Sequence, residues 1–170
     1  MTQQQVPPQV GDVHEQMTAM MTSHWVSQAV RAVADLSLAD HLAAARLTAA
    51  EIAEREGSAP TTTFRLMRAC VAIGLLTAGA NGRFGSTPLL QPLRKDTRGS
   101  LRDLALAMTQ PSQWLPLNEF VTSVRTGQSQ VSAALGMDFF DYLEQHPSQA
   151  REFSAGVGST TALWAANAAK

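Results

Sequence analysis

Residues 48–87 read TAAEIAEREGSAPTTTFRLMRACVAIGLLTAGANGRFGST, and this stretch decides the fold. It opens on Thr48-Ala49-Ala50-Glu51, the spacing of a capping box. In such a box the Thr48 hydroxyl accepts from the Glu51 amide while the Glu51 carboxylate reaches back. The helix so started runs through Ile52 to Glu56 and stops at Gly57, which is free to take the left-handed conformation that ends helices. Ser58-Ala59-Pro60 is a turn. Thr61 or Thr62 is placed to cap a second helix, which carries Phe64, Met67, Cys70 and Val71 and closes at Gly74. Leu75-Leu76-Thr77 and Arg83-Phe84-Gly85-Ser86 then flank Asn81-Gly82, a strong hairpin signal. Helix, turn, helix and hairpin, behind a preceding helix, predict a winged helix-turn-helix with Ile52, Phe64 and Leu75 in its core.

Working outward, the chain upstream turns helical from Val13. Met17, Met20, Met21 and His24 follow helical spacing, and Val26, Val30 and Val33 continue on a neighbouring stripe. Apolar residues on more than one face leave two readings open. One is a helix buried in the core; the other is an interface helix, where Met and Trp are common. On the interface reading Met17, Met20, Met21, Trp25, Val26 and Val30 are buried between two chains. Asp35 to Ala45 is expected to continue the helix through Leu36, Leu38 and Leu42. Met1 to Gly11, polar and Gln-rich with Pro7 and Pro8, reads as a flexible arm with no signal-peptide pattern.

Downstream, Thr87-Pro88 opens a short helix, and Ser100 with Asp103 caps another that runs through Met108. Pro111 to Val124 reads as one helix, with Pro116 in its first turn or kinking it, ended by Gly127. Gln128 to Gly136 reads as a loop. Asp138 caps Phe139 to Gln145, and Pro147 opens a last helix towards Lys170. The fold class is mostly α with one small β-hairpin.

Composition excludes several functions. The chain has 170 residues, 45% of them hydrophobic, which is enough for a real core. With 13 basic and 14 acidic side chains the net charge is −1, unlike a general nucleic-acid binder. The would-be recognition helix offers only Arg65 and Arg68, the wing adds Arg83, and Glu51, Glu54 and Glu56 crowd the helix before. A lone cysteine, Cys70, builds no disulfide framework and reads as a buried thiol. No apolar run reaches the ~18 residues of a membrane span, so no membrane contact and a cytoplasmic location are expected. His14, His24, His41 and His146 lack a His or Cys partner at ligand spacing, so no metal site is expected. Asp138 and Asp141 are better read as helix caps than as an acid–base pair, and Ser159-Thr160-Thr161 has no base nearby in sequence. Gly156 and Gly158 follow no strand, so they make no phosphate or dinucleotide turn. No catalytic residue is assigned.

Ordered along roughly residues 13–160 stand Trp25-Val26-Ser27-Gln28-Ala29, Leu47-Thr48-Ala49-Ala50-Glu51-Ile52-Ala53, Phe64-Arg65-Leu66-Met67-Arg68-Ala69 and Val71-Ala72-Ile73-Gly74-Leu75-Leu76. Gly82-Arg83-Phe84, Thr87-Pro88-Leu89 and Gly99-Ser100-Leu101-Arg102 follow, and then Ser123-Val124-Arg125-Thr126-Gly127, Phe139-Phe140-Asp141-Tyr142-Leu143, His146-Pro147 and Phe153. This series resembles the N-terminal dimerisation domain of the S-adenosylmethionine-dependent O-methyltransferases of bacterial secondary metabolism and antibiotic biosynthesis, relatives of the plant caffeate-type enzymes. The resemblance implies an intertwined homodimer of winged-helix domains. It implies a flexible arm at 1–12, a dimerisation domain at 13–98, and a helical extension at 99–170 leading toward a Rossmann-type catalytic domain that this sequence does not contain. It implies that Trp114, Phe140, Phe153, Val157 and Trp164 wall the acceptor pocket for an aromatic or polyketide-like hydroxyl. S-adenosylmethionine is then expected for the full-length enzyme and not for this chain alone. Val157 and the small Gly156 and Gly158 depart from the family pattern near the cofactor. The rival readings are a winged-helix transcriptional regulator and a stand-alone binder of small aromatic ligands.

Overall fold

The computed structural model describes the backbone of residues 10–168 and the side chains of residues 12–161. The capping box forms as read. The Glu51 amide donates to Thr48 Oγ1 at 3.2 Å, and the Thr48 amide and hydroxyl donate to Glu51 Oε2 at 2.6 and 2.8 Å. The helix it starts, Ala49–Glu56 (α3), ends on Gly57 at φ +62°. The next, Pro60–Ala72 (α4), begins two or three residues earlier than a cap at Thr61 or Thr62 predicts. Pro60 takes its first position, where a missing N–H costs nothing. Thr61 and Thr62 are therefore not its cap. The Thr62 and Thr63 hydroxyls instead donate back to the Ala59 carbonyl, at 3.0 and 2.9 Å.

The hairpin pairs Leu76–Ala78 (β2) with Arg83–Ser86 (β3), in register Leu76↔Ser86 and Ala78↔Phe84. Asn81 and Gly82 turn it at φ +56° and +67°, the left-handed values for which Asn-Gly is suited. A strand the sequence did not announce, Leu47–Thr48 (β1), pairs with β3 to give an antiparallel sheet of order β1-β3-β2. Two residues are too few to show alternation.

The first helix, Val10–Asp35 (α1), starts before Val13 and does not run on to Ala45. Ser37 sits at φ +48°, which breaks the ladder, and a short helix Leu38–His41 (α2) follows. The remainder of the expected N-terminal arm lies outside the described residues. The core gathers Val33, Leu38, Ile52, Met67, Cys70 and Leu90, each fully buried. Ile52 and Leu75 are buried as expected. Phe64 is not: it is 42% exposed, turned outward from the face that carries Met67 and Cys70.

Beyond the sheet, Thr87 stands at the N-cap position ahead of Pro88 as read, but its Oγ1 is directed to the Gly74 and Leu75 carbonyls, both at 2.9 Å, and makes no capping bond. The 3-10 segment Pro88–Leu93 buries Leu90 and Leu93. In Arg102–Met108 (α5) the expected box is only half made. Ser100 Oγ accepts from the Arg102 amide at 3.2 Å, while Asp103 pairs with Arg102 at 3.6 Å. The single helix expected over 111–124 is broken into Pro111–Trp114 (α6), a 3-10 segment Leu115–Glu119, and Phe120–Thr126 (α7), because Pro116 brings no N–H to the ladder. The expected loop at 128–136 holds a short helix, Val131–Leu135 (α8), pinned by buried Leu135 and closed by Gly136 at φ +76°. Asp138 caps Phe139–Gln145 (α9), accepting from the Phe140 amide at 2.9 Å. Pro147–Ala168 (α10) runs alongside α5, and Gly156 lets the two helices approach closely.

Candidate interface and cavities

A helix of 26 residues is about 39 Å long. Only the C-terminal third of α1 enters the core, at Val33 and Ala34. Ahead of it Met17, Met20, Met21, Trp25 and Val26 are 54, 70, 63, 66 and 43% exposed. Of the two readings of this helix, the single chain therefore leaves the apolar face uncovered. Covering such side chains is worth of order 1–2 kcal/mol each. Val30 differs from the rest: it is half-buried and packed against the core of its own chain.

Two arginines that the sequence reading passed over hold this helix in place. Arg31 reaches from α1 to the Leu106 carbonyl near the end of α5 and pairs with Glu152 of α10 at 3.4 Å. Arg102 of α5 returns the contact, its Nε donating to the Ala34 carbonyl at 3.1 Å. Each guanidinium meets carbonyls in the last turn of another helix, where cations are favoured. A lone basic residue inside the apolar stripe, Arg31 between Val30 and Val33, was the available signal.

Three cavities flank this junction. The first, about 340 Å³, lies between α1 and α5 with Val26, Val30, Leu104 and Met108 on its walls. Leu104 and Met108 also wall the second, about 190 Å³, with Phe153, Val157 and Thr160 of α10 opposite. Phe153 in turn walls the third, about 520 Å³, together with Ser112, Ser132, Asp138 and Phe139. Behind Ser112, Gln110 is fully buried and its Nε2 donates to Ser112 Oγ at 2.8 Å. The cavities thus run in series from α1 to α9.

The pocket residues named from sequence divide among these places. Phe153 and Val157 share the second cavity. Phe140 is 67% exposed, lines none of the three cavities, and meets Phe139 edge to face at 5.4 Å. Trp114 faces α1 across a separate cleft with Ser23, His24 and Leu117. The Trp164 side chain lies outside the described residues. Leu104 and Met108, which sequence reasoning did not name, connect the set.

The remaining chemistry is structural. Burial pushes the Cys70 thiol up to about 11. Hydrogen bonds from the Thr48 amide and hydroxyl, joined by the Arg83 guanidinium, hold the Glu51 carboxyl below its ordinary value. Arg83 is tied into its own module, pairing with Glu51 at 3.2 Å and donating to the Arg46 carbonyl at 2.8 Å. His41 is hydrogen-bonded to Glu56, and His146 Nδ1 donates to the Tyr142 carbonyl at 2.7 Å. Among the described residues no group of His, Cys, Asp and Glu is arranged to hold a metal. No described helix is long and apolar enough to cross a membrane. Among the described residues the strands form only the small antiparallel sheet, and Gly156 is used in helix packing.

Comparison with known proteins places this geometry. Residues 18–92 match the family model of the O-methyltransferase dimerisation domain. The phenazine O-methyltransferase PhzM of Lysobacter antibioticus is 33% identical over 142 residues, 84% of this chain and 41% of that protein. The 2,7-dihydroxy-5-methyl-1-naphthoate 7-O-methyltransferase of Streptomyces carzinostaticus is 34% identical over 136 residues, 74% of this chain and 38% of that protein. The crystal structure of LaPhzM superposes with a TM-score of 0.80 at 30% identity, covering 88% of this chain and 45% of that one. The structure of NcsB1, an O-methyltransferase from neocarzinostatin biosynthesis bound to S-adenosylmethionine and 2-hydroxy-5-methyl naphthoic acid, has a TM-score of 0.67 at 32% identity over 81% of this chain and 43% of that one. The chain thus spans less than half the length of the relatives it matches. Its exposed helix α1 lies largely within the matched segment, so residues 18–92 are identified as an O-methyltransferase dimerisation domain, and the relatives of the chain are bacterial secondary-metabolism methyltransferases.

Proposed function

We propose that this chain is the dimerisation and acceptor-pocket half of an S-adenosylmethionine-dependent methyltransferase, acting in the cytoplasm on a hydroxyl of an aromatic or polyketide-like compound. The observation that carries the reading is the uncovered apolar face of α1 within a matched dimerisation domain. A second copy of the chain covers Met17, Met20, Met21, Trp25 and Val26 in an intertwined homodimer. The helix-turn-helix and three-stranded sheet of residues 47–86 serve as a winged helix that has given up nucleic acid and supports self-association through α1. Residues 99–170 extend it toward the catalytic half. Arg83, committed to Glu51 and Arg46, is not free for phosphates, which disfavours a regulator.

Val26 belongs both to the interface face and to the first cavity, so dimerisation closes the cavity series on one side. Phe153, Val157, Met108 and Leu104 form the apolar wall against which an aromatic ring packs. With Gly156 engaged in helix packing and the described strands forming only the small sheet, the reading places the methyl donor, and the base that takes the hydroxyl proton, in the rest of the whole protein. The relatives named for phenazine and naphthoate substrates support a fused aromatic acceptor.

The reading frame beyond Lys170 tests the proposal. A strand followed by a glycine-rich turn within about 30 residues supports it. Sedimentation of the purified chain tests the dimer: a monomer at micromolar concentration removes the reading's main support.

A further inference from the structure

A cleft within the helix and sheet module shares no lining residue with the cavity series. It lies between α4 and the β2–β3 hairpin, holds about 490 Å³, and is lined by Phe64, Arg68, Val71, Gly82, Arg83 and Phe84. Phe64 is the large apolar side chain that the core leaves out. It stands 42% exposed and meets buried Phe84 edge to face, with centroids 5.8 Å apart, so part of its ring is open to the cleft. Arg68, one helical turn further on, shares that face of α4. It is exposed and has no ion-pair or hydrogen-bond partner among the described residues. Arg83 adds positive charge to the wall, although its terminal nitrogens are committed to Glu51 and the Arg46 carbonyl. The local charge is one-sided. From Gly57 to Lys95 the sequence has no acidic residue and five basic ones, in a chain whose net charge is −1.

We propose that this cleft is a second binding site, for a planar aromatic carboxylate. The volume is that of a small-molecule pocket. Phe64, Val71 and Phe84 offer a ring an apolar slot with an aromatic edge. The free guanidinium of Arg68 at the rim offers a carboxylate two parallel donors. A neutral ring leaves that cation unmatched, and an aliphatic acid leaves the aromatic slot unfilled. The cleft is separate from the cavities around α5 and α10, so this site stands or falls independently of the acceptor pocket.

An amide NMR titration of the chain with 1-naphthoate, and with neutral 1-naphthylmethanol, tests it. Naphthoate is expected to shift the amides of Arg68, Gly79, Gly82 and Arg83, and the alcohol to bind about tenfold more weakly. Arg68→Gln is expected to weaken naphthoate about tenfold, and Arg68→Lys to restore part of the loss. Arg68 is on the surface, so both variants keep the native spectrum elsewhere, and a spectrum that is kept separates lost binding from lost folding. Shifts confined to Met108, Phe153 and Val157 overturn the second site while supporting the acceptor pocket. Equal binding of acid and alcohol, or unchanged affinity in Arg68→Gln, overturns it as well. Shifts at these amides with duplex DNA and none with naphthoate replace it with a nucleic-acid face.

Discussion

Gly156→Ala is the sharpest test of how α5 and α10 meet. A Cβ built on Gly156 stands 2.5 Å from Ala107 Cβ and 3.2 Å from the Asp103 carbonyl oxygen. Carbon atoms rest about 3.5–4.0 Å apart, so the helices must separate by about 1 Å or more. Both clashing groups are rigid: one is a methyl fixed to the backbone, the other is backbone itself. Overpacking of this kind costs about 1–3 kcal/mol. The better helix propensity of alanine returns about 1 kcal/mol, leaving a net loss of up to about 2 kcal/mol. Gly158, two residues on, supplies the control. A Cβ there meets nothing within 4 Å, so Gly158→Ala keeps the propensity gain and is expected to stabilise by up to about 1 kcal/mol. In a thermal melt the two variants should move in opposite directions, by about 2–4 °C per kcal/mol for a chain of this size. An acceptor ligand that fills the second cavity should also bind Gly156→Ala more weakly, because Gly156 helps line that cavity. A Gly156→Ala melt at or above that of the wild type refutes the close packing of α5 on α10.

Val26→Asp is expected to turn the dimer into a folded monomer, since an unpaired buried charge costs about 3–5 kcal/mol, at least a hundredfold in the dimer Kd. Sedimentation reads the mass and circular dichroism the fold, and an unchanged dimer sinks the interface. Val30→Asp should unfold the chain as well, because Val30 packs on its own core. Thr48→Ala removes a helix cap and is expected to cost about 1 kcal/mol at neutral pH, measured by urea unfolding. Glu51 is held below its unfolded value, so its share of that stability is present above the unfolded pKa and lost as pH falls through the folded one. The gap between wild type and Thr48→Ala should therefore narrow below about pH 4, and a constant gap refutes the linkage. Cys70, fully buried with its thiol raised to about 11, should react with a thiol reagent only at the rate of unfolding. Rapid modification of the native chain contradicts that burial.

What the sequence determined by itself is local. Thr48 with Glu51, the stop at Gly57, the Asn81-Gly82 turn, the Asp138 cap and the stop at Gly127 all formed as read, because each depends on side chains and backbone within about four residues. The ordered motifs also carried the family, since short signatures survive in series where no single one is diagnostic. The tertiary structure decided what lies opposite each face. A helical period shows that α1 has an apolar stripe, but only the placement of α2, α4 and α5 shows that the stripe is core at Val33 and bare at Met20. The same holds for Phe64, apolar and at core spacing yet turned outward, and for Phe140, which its neighbour Phe139 separates from Phe153. Ser37 in the left-handed region and the short strand β1 follow from chain path, not from residue preference. The physical reason is range. Capping and turn energies act within a few residues, whereas burial is settled by neighbours distant in sequence, such as Ala107 against Gly156 and Arg31 against Glu152.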